Sequence, residues 1–151
     1  MKLSEGDNTS LELTVAGYEF PNLENEPYDS DWLYITIRVT HPRGSWTSTD
    51  PSLLTDEVAP LADWLEAIAD VRTVESETGF IEPNLSFVLL EGDVRKVRVY
   101  FELESRPSWA AAAWAGLEDL WLEFAVVPDM LRDAAASLRS QSAKFPSRGG
   151  G

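Results

Sequence analysis

Apolar and polar residues alternate at several places along the chain with the period of a half-buried strand. Leu11, Leu13 and Val15 alternate with Glu12, Thr14 and Ala16 before Gly17-Tyr18 ends the run. The sharpest alternation covers residues 32–39. Leu33, Ile35, Ile37 and Val39 fall on one side; Trp32, Tyr34, Thr36 and Arg38 fall on the other. His41-Pro42-Arg43-Gly44 has the composition of a turn, and Ser45-Trp46-Thr47-Ser48-Thr49 predicts a strand that pairs back as a hairpin. Three more strand patterns follow: Phe80 to Leu90, interrupted at Pro83; Val97, Val99, Phe101 and Leu103; and Leu120, Leu122, Phe124 and Val126. Glu91-Gly92-Asp93 predicts a short hairpin between the first two of these.

Two segments carry the helical period instead. Over residues 55–69, Leu61, Trp64, Leu65 and Ile68 form one apolar stripe, and Asp63, Glu66 and Asp70 mark the opposite face. Thr55 is the expected cap, with Asp56 and Glu57 suited to the positive end of the helix dipole. Pro60 predicts either a kink or a helix that begins later. The second helix opens at Pro128-Asp129, with Leu131, Ala134, Ala135 and Leu138 as its stripe. Residues 1–9 read as a frayed polar start, 20–30 as an acidic loop and 72–79 as a polar link. The alanine-rich stretch 107–116 reads as a loop with one turn. No internal repeat is visible. The order β-β-β-α-β-β-β-α predicts an α+β fold, a mostly antiparallel sheet of about six strands with two helices packed on it. It is expected to form one domain over residues 1–146, with a disordered tail at 147–151.

Charge changes the picture more than length or composition does. Residues 1–82 hold 17 acids and four bases, and residues 83–151 hold nine acids and eight bases, so −13 and −1 make up the net −14. Such a chain repels nucleic acid and anionic membranes and attracts basic surfaces. It has no cysteine and one histidine, which removes thiolate chemistry, disulfides and most metal constellations. No phosphate-cradling glycine motif is present. The start, Met1-Lys2-Leu3-Ser4-Glu5-Gly6-Asp7, has no apolar run, and no stretch approaches the roughly 18 apolar residues of a membrane span. A cytoplasmic protein without cofactor or metal is expected.

Few residues invite catalysis. His41 sits in a turn with no nucleophile or orienting carboxylate nearby in sequence. Asp29-Ser30-Asp31 could pair two carboxylates for hydrolysis or metal binding, but it runs into Trp32 and lacks the further ligands of a calcium loop. The basic run Arg95-Lys96-Val97-Arg98 is expected to be neutralised by Glu91, Asp93 and Glu102 across its hairpin. Trp64 belongs to the core. Trp32 and Trp121 lie off the aliphatic faces of their strands, and Trp109 and Trp114 sit in the alanine-rich connection, where an exposed pair could stack on a sugar or anchor a partner; a small ligand- or carbohydrate-binding module is the second reading and a carboxylate hydrolase the third. The first reading rests on the acids themselves. Glu24, Glu26, Asp29 and Asp31 crowd one loop, and Asp50, Asp56, Glu57, Asp63, Glu66 and Asp70 crowd the next loop and helix. Like charges at helical spacing repel, and no nearby bases offset them, so these ten residues are the expected contact surface for a basic partner.

Several short segments, in order, resemble the WapI family of bacterial immunity proteins: Gly17-Tyr18-Glu19-Phe20-Pro21, Asp31-Trp32-Leu33, Pro51-Ser52-Leu53-Leu54-Thr55, Leu61-Ala62-Asp63-Trp64-Leu65, Glu82-Pro83-Asn84-Leu85 and Arg106-Pro107-Ser108-Trp109. The similarity runs over roughly residues 10–146. The resemblance implies a non-enzymatic protein that neutralises a toxin, often a nuclease, by binding the toxin's C-terminal domain; it supplies no functional residues. A nuclease must hold a polyanion, so an acidic inhibitor fits its basic cleft. Oligomeric state is left open by the sequence.

Overall fold

A computed structural model describes residues 1–26, 29–107, 109 and 119–149. The class is α+β, as the alternation predicts, but the strands divide into two antiparallel sheets of four in place of one sheet of about six. The first sheet is a meander of β1 (Lys2–Glu5), β2 (Thr9–Tyr18), β3 (Trp32–Thr40) and β4 (Trp46–Leu54), closed by helix α1 (Thr55–Ala69). The second repeats that order with β5 (Glu77–Thr78), β6 (Leu85–Leu90), β7 (Lys96–Phe101) and β8 (Leu120–Ala125), closed by α2 (Pro128–Lys144).

The inward residues are those the periodicity selects. Leu11, Leu13 and Val15 of β2, the four aliphatics of β3, Phe87 of β6, Val97 and Val99 of β7, and Phe124 of β8 all join one continuous core. The helices contribute Leu61, Leu65 and Ile68 from α1 and Leu131, Ala134 and Leu138 from α2. The two helices pack on each other, and α2 also rests on β1 and β2.

Several expectations are corrected. The polar-looking start is a strand, because Leu3 is fully buried and its ladder to β2 puts Leu3 opposite Leu11. The Met1 ammonium reinforces it, donating to the Leu13 carbonyl (3.0 Å) and Ser137 Oγ (2.8 Å). β4 continues through Pro51 to Leu54. Helix α1 begins directly after β4, with Leu54 as its N-cap and Thr55 inside the first turn, where its hydroxyl is buried without a partner. Pro60 is exposed within the helix and does not delay its start. The expected strand from Phe80 starts only at Leu85, while the two-residue β5 falls in the supposed polar link. Arg95 does meet Glu91 (3.1 Å), but Lys96 and Arg98 are neutralised by Glu123 of β8. Ser147 and Arg148 are hydrogen-bonded to Asp31 and to the acidic loop. The alanine-rich turn at 107–116 lies largely outside the described residues.

Candidate functional site: an acidic cleft

One end of the first sheet is distorted around Tyr34. Its ladder partners are Gly17 and Pro51, and beside it both ladders gain an extra residue, Ala16 on β2 and Ser52 on β4. Bulges of this kind bend a strand and re-aim its side chains. Glu19 follows directly, its amide donating to the Trp32 carbonyl at 2.9 Å. Asp50 faces Ile35 across the ladder and therefore shares the inward side of the sheet with a core residue.

Against this end stand residues of the second half. Asn84 precedes β6, and Glu104 lies in a short 3₁₀ turn, Leu103–Ser105, after β7. The Asn84 side chain donates to Glu104 (3.2 Å), and its carbonyl accepts from Ser105 Oγ (2.6 Å). The indole of Trp46 in β4 donates to the Ser105 carbonyl (2.8 Å), so the turn is fastened to the first sheet. Together Glu19, Trp32, Asp50, Pro51, Glu82, Asn84 and Glu104 line a cleft of about 380 Å³.

Four of those seven residues are carboxylic acids, and among the described residues the lining includes no lysine or arginine. The electrostatic consequence is visible in two of them. Burial pushes the Asp50 carboxyl above the usual carboxylate range, and Glu104 pushes it further. Burial does the same to Glu19, with Asp29 adding to it. A positive charge beside either carboxylate would favour its ionised form, and the half-buried Trp32 lines the same cleft. Phe20, Ile81 and Leu103, each next in sequence to one of the acids, are exposed, as is Tyr34, the ladder partner of Pro51. Leu103 is also held in the left-handed region at φ 51°, unfavourable for a non-glycine residue.

The acids expected from sequence to form one surface have separate fates. Of the ten, only Asp50 lines the cleft. Glu24, Glu26, Asp29 and Asp56 are exposed. Asp31 is half-buried and accepts from Ser147 Oγ (2.6 Å) and the Arg148 amide. Glu57 accepts from the Leu54 amide (2.9 Å) and the Ile81 amide (3.0 Å), joining the start of α1 to the segment before β6. The outer acids of α1 are not without bases. Arg139 of α2 meets Asp63 (2.8 Å) and Glu66 (3.3 Å), Arg132 meets Asp70 (3.0 Å), and Arg72 reaches both Glu66 and Asp70. The charge pattern singled out none of Glu19, Glu82 and Glu104, although Glu19 and Glu82 fall in segments that carry the family resemblance; their neighbours in the cleft come from distant parts of the chain.

The tryptophans and the single histidine also find definite places. Trp46 and Trp64 are buried, and the Trp64 indole donates to the Glu75 carbonyl (2.8 Å). Trp109 packs edge-on against Trp46 at 5.6 Å and rests on Gly44. Trp121 is partly exposed, but the Arg98 guanidinium lies 4.0 Å from its ring centroid, occupying a face that a sugar would need. Trp114 lies outside the described residues. The His41 Nδ1 accepts from the Arg43 amide, a local turn contact, and burial followed by Arg43 lowers its pKa. Among the described residues no three histidines or carboxylates converge to hold a metal ion, and no helix is long and apolar enough to cross a membrane.

Compared with known proteins, the family model described as immunity protein WapI-like family matches residues 2–146. No curated protein and no solved structure matches the chain.

Proposed function

The chain belongs to the immunity protein WapI-like family, and from that premise we propose that it neutralises a cognate toxin domain by docking its acidic cleft onto a basic surface of the toxin. The toxin on this reading is a nuclease. Its active surface must be basic to hold a polyanion, so an acidic protein can be steered to that surface and block it without any catalytic step. The immunity protein acts in the cytoplasm, where the nuclease would find its substrate.

The observation that carries this reading is the cleft itself. Its four carboxylic acids have no basic residue among them, and two have raised pKa values. A lysine or arginine from the partner would supply the missing charge. The exposed Glu24, Glu26, Asp29 and Asp56 contribute to long-range attraction, a role that needs no direct contact. The acidic N-terminal half thus supplies the field and part of the contact, and Glu104 completes the contact from the second half.

The test uses a cognate toxin domain as the binding partner. Its association rate should fall steeply from low to high salt. The double variant Asp50→Asn, Glu104→Gln should lose at least ~10-fold in affinity. A rate independent of salt, together with full affinity in the double variant, would refute the proposal.

A further inference from the structure

The acidic loop ahead of β3 grips an arginine that arrives from the other end of the fold. After α2 the chain returns along β2. Phe145 sets its ring edge-on to Tyr18 at 5.5 Å, and the Tyr18 hydroxyl donates to the Pro146 carbonyl (2.6 Å). The Arg148 guanidinium then lies 3.5 Å from the Tyr18 ring centroid. It donates to the carbonyl oxygens of Phe20 (3.0 Å), Pro21 (2.9 Å) and Ser30 (2.8 and 3.3 Å). Asp31 holds the segment's backbone from below through the Arg148 amide and Ser147 Oγ, and the Asn25 amide donates to the Arg148 carbonyl.

The contacts form a cage for one kind of group. Three main-chain carbonyls and a π face are acceptors arranged around a planar fork of donors, while the Asp31 carboxylate takes the backbone amide beside that fork. Arginine matches that arrangement; the compact ammonium of lysine cannot lie flat on the ring and reach three divergent carbonyls together. The occupant, by contrast, sits on a surface segment with no buried residue of its own. Pro146 and Ser147 are exposed, none of residues 146–149 is buried, and the bonds that hold them are polar. A segment held in this way opens locally without disturbing the core.

We propose that this cage is an arginine-recognition site for a partner protein, filled in the free protein by Arg148 as a tethered placeholder. The inference rests on the reading of the chain as a binder of a basic toxin domain, and it adds a second contact to that reading. The cage and the cleft are neighbours: Glu19 lines the cleft, and the adjoining Phe20 supplies a cage carbonyl. A tethered arginine excludes isolated competitors because its local concentration is high. It yields to an arginine delivered by a surface already engaged at the cleft. The cage thereby discriminates against basic proteins that fit only one of the two places.

The test needs no toxin. A capped peptide, Gly-Ser-Arg-Gly, is titrated into isotope-labelled wild type and Arg148→Ala, with amide resonances followed by NMR and the same peptide bearing lysine as control. Arg148→Ala should bind the arginine peptide at least ~10-fold more tightly than wild type. The shifts should centre on residues 18–26 and 29–31, and the lysine peptide should bind distinctly more weakly. Equal binding to both proteins, no binding to Arg148→Ala, or equal binding of the two peptides would each overturn the proposal. If Arg148→Ala does not fold, Arg148→Lys keeps the charge and the tether while losing the fork, and it too must bind the arginine peptide more tightly than wild type does. Failure here leaves toxin neutralisation at the cleft standing, and failure of toxin binding leaves the cage standing.

Discussion

Replacing Glu57 by alanine separates two roles for an acid that sequence alone places on a docking face. In the structure its carboxylate is half-buried and uses both oxygens, one on the Leu54 amide and the other on the Ile81 amide. Leu54 is 4% exposed, and as an apolar N-cap it offers no side-chain acceptor to the first turn of α1. Losing a charge-assisted bond to that buried amide costs about 1.5–3 kcal/mol. The more exposed bond to Ile81 adds about 0.5 kcal/mol, and Asp56 preserves most of the favourable charge at the helix start. The expected loss is about 2–3.5 kcal/mol in total. For a chain of this size that corresponds to a fall in Tm of roughly 5–10 °C. Urea titration and thermal unfolding followed by circular dichroism read both quantities. Glu57→Gln keeps an acceptor without the charge and should lose about half as much. Under conditions where Glu57→Ala is folded, its affinity for the toxin domain should equal that of wild type. A stability loss below about 0.5 kcal/mol combined with weakened toxin binding would show that Glu57 is a contact residue and that the capping argument is wrong.

Three further outcomes follow from individual positions. A Cβ at Gly44 would lie 2.7 Å from the Trp109 ring, and the backbone there has φ +143°; Gly44→Ala should cost about 1–3 kcal/mol in a urea titration, and an unchanged midpoint would contradict the packing of Trp109 on this turn. Val71 ends α1 in the left-handed region at φ 56°, 78% exposed, with its own amide bonded to Ile68 and that of Arg72 bonded to Ala67. Val71→Gly should therefore stabilise the protein by about 1 kcal/mol, and a loss of stability would refute the strain. For Asp50 the pKa is raised by burial and then by Glu104. Its contribution to stability is present at low pH and lost as pH rises through the folded-state pKa. Asp50→Asn should accordingly be more stable than wild type at neutral pH and no more stable below the ordinary aspartate range, even as it binds the toxin domain less well; equal stability at both pH values would show that the carboxylate is not desolvated.

Local pattern alone determined much of this protein. The alternation at Leu33, Ile35, Ile37 and Val39 specifies which side of β3 enters the core, and the stripe at Leu61, Trp64, Leu65 and Ile68 does the same for α1, because side-chain direction in a strand or helix is set by backbone geometry within a few residues. The acid-rich composition likewise sets the net charge of −14 and its concentration in residues 1–82. The tertiary structure decided where those acids act. Asp63, Glu66 and Asp70 look unopposed along the chain, yet Arg139 and Arg132 of α2 meet them. Asp31 meets the segment after α2, and Asp50 finds Glu19, Glu82 and Glu104 in a cleft to which both halves contribute. Burial direction is encoded by neighbours in sequence, whereas charge acts through space. Whether an acid is a cap, an ion-pair partner or a binding group therefore depends on residues that only folding brings within reach.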